Sequence, residues 1–220
     1  MTSGEWRVAS GERQVRFATS HSPLATRHWS FAIHHYFRLM QRLKKTLGVR
    51  LFHQESEPLR LRKGCNFHSA ERVAFIYLDS DEDFFKSLKK YAKYLKENFN
   101  IKSVMMMGFV DQPDKKIPIW QQHKLESEFF SRSNLNWYLK PVSGVKNFIA
   151  DDYDILIDFS GGNTLPINYV FKESRAKMKV GALGSRAARN CDFILNMGNQ
   201  FGVDKYIVQL NAYLSNPKIK

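Results

Sequence analysis

Carboxylate and hydroxyl side chains follow two apolar runs of the sequence, and they are the first residues that suggest chemistry. Asp79 ends the run 72–79 and is followed by Ser80, while Asp158 lies near the end of the run 154–159. Two carboxylates that lie close together can act as an acid/base pair or bind a metal ion. Carboxylates at strand ends also cap helices, so a purely structural role stays open.

A glycine-rich loop follows the second of these runs. Its residues are Ser160, Gly161, Gly162, Asn163 and Thr164. Free backbone N–H groups and the dipole of a following helix would favour an anion such as a nucleotide or sugar phosphate there. The loop matches neither the dinucleotide fingerprint nor a P-loop, and the alternative is a tight strand-to-helix turn.

Cysteine and histidine chemistry has little support in the sequence. Cys191 has no recognisable histidine partner, and His123 is the only histidine after residue 68. Cys65 and His68 are too few for a zinc site. The methionines 105–107 stand in a predicted strand, where neighbouring side chains point to opposite faces, so they predict core filling and not metal ligation. The sequence therefore predicts no metal, no cofactor and no catalytic constellation, and leaves an enzyme open.

The chain is basic, with a formal net charge of +13 from 34 Lys and Arg against 21 Asp and Glu. A dense stretch provides a candidate basic patch, which consists of Arg42, Lys44, Lys45, Arg50, Arg60, Arg62 and Lys63. Such a patch could meet an acidic partner, nucleic acid or a membrane surface. The alternative is a solvated helix over residues 40–48 that packs through Leu43 and Leu47 and ends at Gly48. No base-reading signature accompanies the patch.

Strands and helices alternate along the part of the chain that must position these residues. Strands are predicted at 72–79, 103–110, 154–159, 179–183 and 192–196, and helices at 80–100, 145–149, 164–175 and 203–215. The helix at 80–100 begins with a capping-box pattern at Ser80. The remainder of 111–150 is predicted to be irregular. The alternation predicts an α/β fold with a single open, mostly parallel sheet flanked by helices, Rossmann-like in the broad sense, preceded by a basic N-terminal helix. Ligands of such sheets bind beyond the carboxyl ends of the strands.

Three segments divide the chain. Residues 1–39 are predicted to be a disordered leader, residues 40–71 a basic helix and linker, and residues 72–217 the α/β domain. The leader has three interpretations: a transit peptide, a basic arm for nucleic acid, or a mis-assigned start with translation beginning at Met40. No apolar run reaches the ~18 residues of a membrane span, and no secretory signal is visible, so we expect a cytoplasmic protein.

Several stretches carry a resemblance to a known family. They are the basic start at Met40, Gly108-Phe109, Phe129-Phe130, Leu135-Asn136-Trp137, Lys140-Pro141, the stretch 153–158, Leu165-Pro166-Ile167 and the stretch 176–181. On these residues the chain from Met40 onward resembles uncharacterised proteins of Bacteroidota that share a domain of unknown function. The family implies no activity and therefore no catalytic residues. Gly161 and Gly162 depart from the acidic and apolar residues usual in that family.

A second, local resemblance covers residues 153–181. This block is similar to the amino-terminal domain of heptosyltransferase-type glycosyltransferases, with a strand ending in Asp, a helix, and a lysine-rich strand ending in Gly. Those enzymes use two such domains around a cleft, and this chain has the length of one. The likeness implies shared architecture and not sugar transfer.

Three functions follow as hypotheses. The first is an α/β accessory or ligand-binding protein without catalytic machinery. The second is a nucleotide- or sugar-phosphate-binding enzyme that uses the loops around Asp79 and Ser160. The third is RNA or DNA binding through residues 40–63 and the helix at 80–100. The oligomeric state is not predicted.

Overall fold

The computed structural model describes residues 23–112, 126–184, 186–198 and 202–216. The predicted leader as far as residue 22, His123 and the residues after 216 lie outside this part. The helices are α1 (Pro23–Gln54), α2 (Glu82–Phe99), α3 (Lys146–Ala150), α4 (Leu165–Glu173) and α5 (Val203–Leu214). The strands are β1 (Arg72–Leu78), β2 (Ser103–Val110), β3 (Ser127–Ser131), β4 (Ile155–Asp158), β5 (Met178–Ala182) and β6 (Phe193–Leu195).

The six strands form one open sheet in the order β3-β2-β1-β4-β5-β6, and every neighbouring pair is parallel. This is the strand order 3-2-1-4-5-6 of Rossmann-type folds. The predicted α/β class and parallel sheet are confirmed. The strand order reverses between β1 and β4, so the chain leaves these two neighbouring strands toward opposite sides of the sheet.

Both faces of the sheet are covered. All residues of β1 from Val73 to Tyr77 are buried, as expected for a strand whose run is continuously apolar. Side chains alternate between the faces. Val73, Phe75 and Tyr77 share one core with α2 and α5, while Ala74 and Ile76 share a second core with α3 and α4. The alternation therefore builds two apolar layers around a central parallel sheet.

The strand β3 was not predicted, because residues 127–131 fall in the segment that the sequence marks as irregular. The strand is short, lies at the edge of the sheet, and carries polar residues at both ends. Its pairing with β2 and the packing of Phe130 on Phe109, with ring centroids 4.9 Å apart, are long-range contacts. A local pattern cannot reveal such contacts, and tertiary pairing here overrides local propensity.

The helix α1 is longer than the helix predicted over 40–48. It begins at Pro23, so residues 23–39, which the sequence predicts to be part of a disordered leader, are helical. It also continues through Gly48, which is not a C-terminal cap. A Cβ at Gly48 would lie 2.3 Å from the carbonyl oxygen of Tyr138. Gly48 therefore permits a close approach of two backbones.

The last turns of α1 pack on α4. The hydroxyl of Tyr169 donates a hydrogen bond of 2.8 Å to the carbonyl oxygen of Gly48, and Phe52 packs edge-on against the ring of Tyr169. Phe52, Leu165 and Tyr169 form a small third core. No helix of the described residues is long and apolar enough to cross a membrane.

The start of α2 differs in one detail from its prediction. Asp81, and not Ser80, is the N-cap: its carboxylate accepts a hydrogen bond of 2.8 Å from the backbone N–H of Phe84. Ser80 donates its hydroxyl to the same carboxylate. An Asp is as good an N-cap as a Ser, so the helix can begin one residue later than the pattern at Ser80 predicts.

Candidate ligand-binding site at the strand-order reversal

Two predicted groups of residues follow neighbouring strands at the point where the strand order reverses. Ile76 of β1 is paired with Asp158 of β4, and the N–H of Phe159 donates to the carbonyl of Ile76 at 2.8 Å. Neighbouring strands lie about 4.8 Å apart. The turn that contains Asp79 and Ser80 therefore stands beside the glycine-rich loop that follows β4.

Asp158 is buried at this edge, with 1% of its surface exposed. One oxygen, Oδ1, accepts hydrogen bonds from the N–H and from the hydroxyl of Ser160, at 2.7 and 2.6 Å. The other oxygen, Oδ2, has no hydrogen-bond partner within the described residues. Burial raises the pKa of Asp158 to about 6, while the two bonds from Ser160 act to lower it. The carboxyl group therefore titrates close to neutral pH.

The carboxyl group of Asp158 faces the side of the sheet that carries α4. Leu156 precedes it by two residues and packs in the same core as Val170 of α4. Side chains two residues apart on a strand share a face, so Asp158 lies on the face of the sheet that carries α4. The buried carboxyl thus lies on the side of the sheet where the loop enters the helix.

Hydrogen bonds fix the glycine-rich loop. Gly161 and Gly162 have backbone φ angles of 69° and 72°, which residues other than glycine rarely adopt. The N–H of Gly162 donates to Ser160 Oγ at 3.1 Å, and Asn168 Nδ2 donates to the carbonyl of Gly162 at 3.1 Å. Asn168 is fully buried, and its Oδ1 has no hydrogen-bond partner in the described part of the chain. A chain of hydrogen bonds thus runs from Asp158 through the loop to Asn168.

The other two predicted loop residues have smaller roles. Thr164 occupies the N-cap position of α4, but its side chain makes no capping hydrogen bond. Asn163 is exposed to solvent. The loop is therefore held by Ser160, Gly162 and Asn168, and the predicted N-cap side chain does not take part.

The turn after β1 is strongly acidic. Asp79, Asp81, Glu82 and Asp83 lie within five residues that include no lysine or arginine. Hydrogen bonds from Phe84 N–H and Ser80 hold the pKa of Asp81 below its usual range. Glu82 pairs with Lys86 at 2.9 Å. This turn places negative charge at the edge, where dinucleotide-binding folds have a glycine-rich phosphate loop.

Two groups near Asp158 were not foreseen from the sequence. Cys191 lies against Gly181, because a Cβ added at Gly181 would lie 2.6 Å from the Sγ of Cys191. Burial, and next the charge of Asp158, raise the pKa of Cys191 to about 12. Burial and the charge of Asp158 likewise raise the pKa of Tyr206. The thiol is protonated at neutral pH and is a poor nucleophile.

Asn168 is the residue of the candidate site that the sequence analysis did not identify. It stands in a helix whose residues from Leu165 to Lys172 are all buried. A buried amide needs hydrogen-bond partners, so an Asn inside such an apolar run is itself a signal of a polar interior site. Among the described residues, no group of three or more His, Cys, Asp or Glu side chains is placed to hold a metal ion.

The basic patch is divided by the structure. Arg42, Lys45, Arg50 and Lys63 are exposed, and Lys44 is half-buried. The side chain of Arg60 is only 1% exposed and does not lie on the surface. Its guanidinium donates to Glu57 at 2.9 Å, to Asp192 at 2.8 Å, and to the carbonyls of Ala176 and Lys177. Arg62 is exposed but pairs with Glu57 at 2.6 Å.

Two buried lysines complete this network of charges. Lys179 is fully buried, and its Nζ donates to Glu57 at 3.2 Å and to the carbonyl of Lys172 at 2.8 Å. Burial lowers the pKa of Lys179 to about 8. The Nζ of Lys172 donates to the carbonyls of Phe52 and Glu55. The segment that joins α1 to β1 is thereby fastened to the α/β domain by buried cations.

Two grooves border α2, and neither is lined by the predicted site residues. A groove of about 550 Å³ lies between α2 and the strands β2 and β3. A shallower one of about 430 Å³ lies between α2 and α5. The larger groove includes Glu126, which directly follows residues outside the described part of the chain. The polar groups that converge do so at the strand-order reversal instead.

The sheet and the loops at its reversal define a Rossmann-type α/β protein with a candidate ligand site at its carboxyl edge. Residues 42–216 match the model described as Family of unknown function (DUF6913), and the chain belongs to this family. Neither the curated proteins nor the solved structures include a match to the chain. The family match covers the α/β domain together with the last part of α1.

Proposed function

We propose that this protein is a ligand-binding α/β protein that holds a small polar molecule at the carboxyl edge of its sheet. The site lies between the β1–α2 turn and the β4–α4 loop. The observation that carries the proposal is the pairing of Ile76 with Asp158, which sets the two predicted loops side by side at the strand-order reversal. In open α/β sheets a ligand crevice forms at this point because the connections on either side diverge.

The buried carboxyl group of Asp158 supports this location. A buried carboxylate with an unpartnered oxygen is unfavourable, and more than nine in ten buried polar groups in proteins have a partner. Ionisable groups in such environments are concentrated at functional sites. Gly161, at positive φ and half-buried, adds no side chain to the outer part of the loop, whereas the buried Gly162 is hydrogen-bonded to Ser160 and Asn168.

The same loops would serve an enzyme that binds a nucleotide or a sugar phosphate. Binding is the better supported function. The hydroxyl of Ser160 pairs with the carboxylate of Asp158 at 2.6 Å, but the same hydroxyl also accepts the N–H of Gly162 and so holds the loop. Cys191, the nearest thiol, is kept protonated. The likeness of residues 153–181 to heptosyltransferase-type domains supports a ligand edge as architecture and adds no chemistry.

Nucleic-acid binding through the basic segment is less well supported. Arg60 and Arg62 are engaged with Glu57 and Asp192. Along α2, three predicted contact lysines also pair with acidic residues: Lys86 with Glu82, Lys93 with Glu97, and Lys96 with Glu126. Cations neutralised in this way contribute little to phosphate binding.

A thermal-shift panel tests the proposal. The panel comprises nucleosides, nucleotides, neutral sugars, sugar phosphates and diamines, each measured on the wild type and on three variants. Asp79→Asn and Asp158→Asn change the site. Asp152→Asn is the matched control, because Asp152 is exposed near the opposite, amino end of β4.

A ligand at one hundred times its Kd stabilises the folded state by about 2.7 kcal/mol. For a domain of this size that corresponds to a rise in Tm of roughly 5–10 °C. We expect this rise in the wild type and in Asp152→Asn, and a smaller rise in the two site variants. A flat panel, or a rise that is equal in all four proteins, contradicts the proposed site.

A further inference from the structure

We infer that the group of the ligand that enters this site is a hydrogen-bond donor without negative charge, and not a phosphate. The inference rests on the proposed function and gives it a ligand class. The donor can be a hydroxyl cluster of a neutral sugar or an ammonium group, since both offer donors and neither carries an anion.

The first argument is the kind of polar atom that the site leaves unsatisfied. Oδ2 of Asp158 and Oδ1 of Asn168 are buried and have no hydrogen-bond partner among the described residues. Both are oxygen atoms, and a carboxylate or amide oxygen accepts hydrogen bonds. A hydroxyl or an ammonium group would satisfy them, whereas an ionised phosphate presents only further acceptors.

The second argument is that the two oxygens belong to one structural unit. The hydroxyl of Ser160 donates to Asp158, the N–H of Gly162 donates to the hydroxyl of Ser160, and the side-chain amide of Asn168 donates to the carbonyl of Gly162. The two unsatisfied acceptors therefore stand at the two ends of a single hydrogen-bonded loop, on the side of the sheet that carries α4. A multidentate donor at this loop can serve both ends, which is the pattern expected for a polyol or an amine.

The third argument is the charge around the site. The neighbouring β1–α2 turn has four carboxylates and no cation in residues 79–83, and the cation that follows, Lys86, is paired with Glu82. The beginning of α4 would by itself attract an anion through its free N–H groups. Asp158 lies on the same face of the sheet as α4, so the protein already supplies a negative charge on that side.

Matched pairs of ligands test the inference by calorimetric titration of the full chain at pH 7.5. The pairs are ribose and ribose 5-phosphate, glucose and glucose 6-phosphate, and adenosine and adenosine monophosphate, with putrescine as the amine probe. We expect the member without phosphate to bind at least tenfold more tightly than its phosphate ester. Binding of a sugar or nucleoside identifies a hydroxyl donor, and binding of putrescine alone identifies an ammonium donor.

Two variants separate charge from fold. The double variant Asp79→Asn, Asp83→Asn removes two charges from the β1–α2 turn and leaves the buried loop intact. It should reduce the discrimination against phosphate esters at least threefold. Asp158→Asn should weaken the preferred ligand at least tenfold while its circular dichroism and its unfolding transition show a folded protein. Asp152→Asn should match the wild type in both respects.

The failures of the two proposals are distinguishable. Tighter binding of the phosphate esters, lost in the Asp158→Asn protein, overturns the inference and leaves the proposed site in place. Absence of binding for every member of the panel, amine included, overturns the inference together with the proposed function. Binding that none of the site variants alters overturns both, because the ligand then lies elsewhere on the molecule.

Discussion

Ser160 donates two hydrogen bonds to one carboxylate oxygen of Asp158, its N–H at 2.7 Å and its hydroxyl at 2.6 Å. The second oxygen of Asp158 is buried and has no partner among the described residues. The arrangement orients the carboxyl group firmly and leaves half of it unsatisfied. A side chain that is held in place yet incompletely bonded is what a binding site for an incoming donor requires.

Replacement of Asp158 by Asn should stabilise the protein in a pH-dependent manner. Burial raises the pKa of Asp158 to about 6, against an ordinary value of 3.8. Between these values the folded chain binds more protons than the unfolded chain, so the contribution of Asp158 to stability rises as the pH falls from about 7 to about 4. At pH 8 the buried carboxylate destabilises the fold. We expect Asp158→Asn to raise the free energy of unfolding at pH 8 by about 2–3 kcal/mol, from two pKa units at about 1.4 kcal/mol each.

Urea denaturation from pH 4 to pH 8 measures this effect. The gain of Asp158→Asn over the wild type should become small near pH 4, where the wild-type carboxyl is protonated in the folded chain and partly protonated in the unfolded chain. Asp152→Asn, with its exposed side chain, should show no such trend. A gain that does not change with pH would contradict a buried, ionised Asp158.

Glu57 should be more important for stability than the lysine it neutralises. It accepts from Arg60 at 2.9 Å, from Arg62 at 2.6 Å and from Lys179 at 3.2 Å. Although burial acts to raise the pKa of Glu57, its hydrogen bond with Arg60 and its pairing with Lys179 hold that pKa below the usual range. Glu57→Gln leaves the buried Lys179 without its paired carboxylate and leaves Arg60 with Asp192 alone. We expect a loss of about 3 kcal/mol in the free energy of unfolding.

Lys179→Met removes one of those cations and keeps a side chain of similar length. Glu57 retains both arginines in this variant, so we expect a loss of about 1 kcal/mol or less. Glu97→Gln is the surface control, since its pair with Lys93 is exposed, and it should change stability by less than about 0.5 kcal/mol. If Lys179→Met were as damaging as Glu57→Gln, the lysine would hold the network together and not the glutamate.

The parallel strands could be predicted from the sequence because each is a short apolar run with a turn behind it. Residues 72–79 and 154–159 show this pattern, and the sheet places them side by side. Asp79 and Ser160 were predicted as candidate site residues for the same reason, since ligands bind where such strands end. The strand order itself depends on which runs pair across the chain, which a single sequence does not display.

Other features depend on contacts between distant parts of the chain. Arg60 resembles any surface cation in the sequence, yet it is buried because Asp192 and the carbonyls of Ala176 and Lys177 surround it. Gly48 resembles a helix cap, yet it lies inside α1 because Tyr138 approaches it. Lys179 did offer a local signal, since a lysine between Met178 and Val180 in an apolar strand implies a buried partner.

Gly48→Ala should destabilise the protein although alanine is the better helix former. At an exposed position inside a helix, the change from glycine to alanine would raise the free energy of unfolding by about 1 kcal/mol. Here the new Cβ would lie 2.3 Å from the carbonyl oxygen of Tyr138 and 2.8 Å from the side chain of Leu165, so α1 must move away from α4. We expect a net loss of about 1–3 kcal/mol in chemical denaturation. Thr46→Ala, at an exposed position of the same helix, should raise the free energy of unfolding by a few tenths of a kcal/mol. A gain at Gly48 as well would show that α1 does not pack closely on α4.

A chain of residues 40–220 should be as stable as the full chain, as the hypothesis of a translation start at Met40 requires. The last turns of α1 attach to the α/β domain through Gly48 and Phe52, and Glu55 follows with its ion pair to Lys140 at 3.0 Å. Residues 40–54 retain these contacts, so the two chains should unfold within about 0.5 kcal/mol of each other in urea. A chain of residues 56–220 lacks them and exposes Leu165 and Tyr169, and it should lose several kcal/mol or fail to fold. A marked loss already in residues 40–220 would show that the first part of α1 contributes to the stability of the fold, and would contradict a start at Met40.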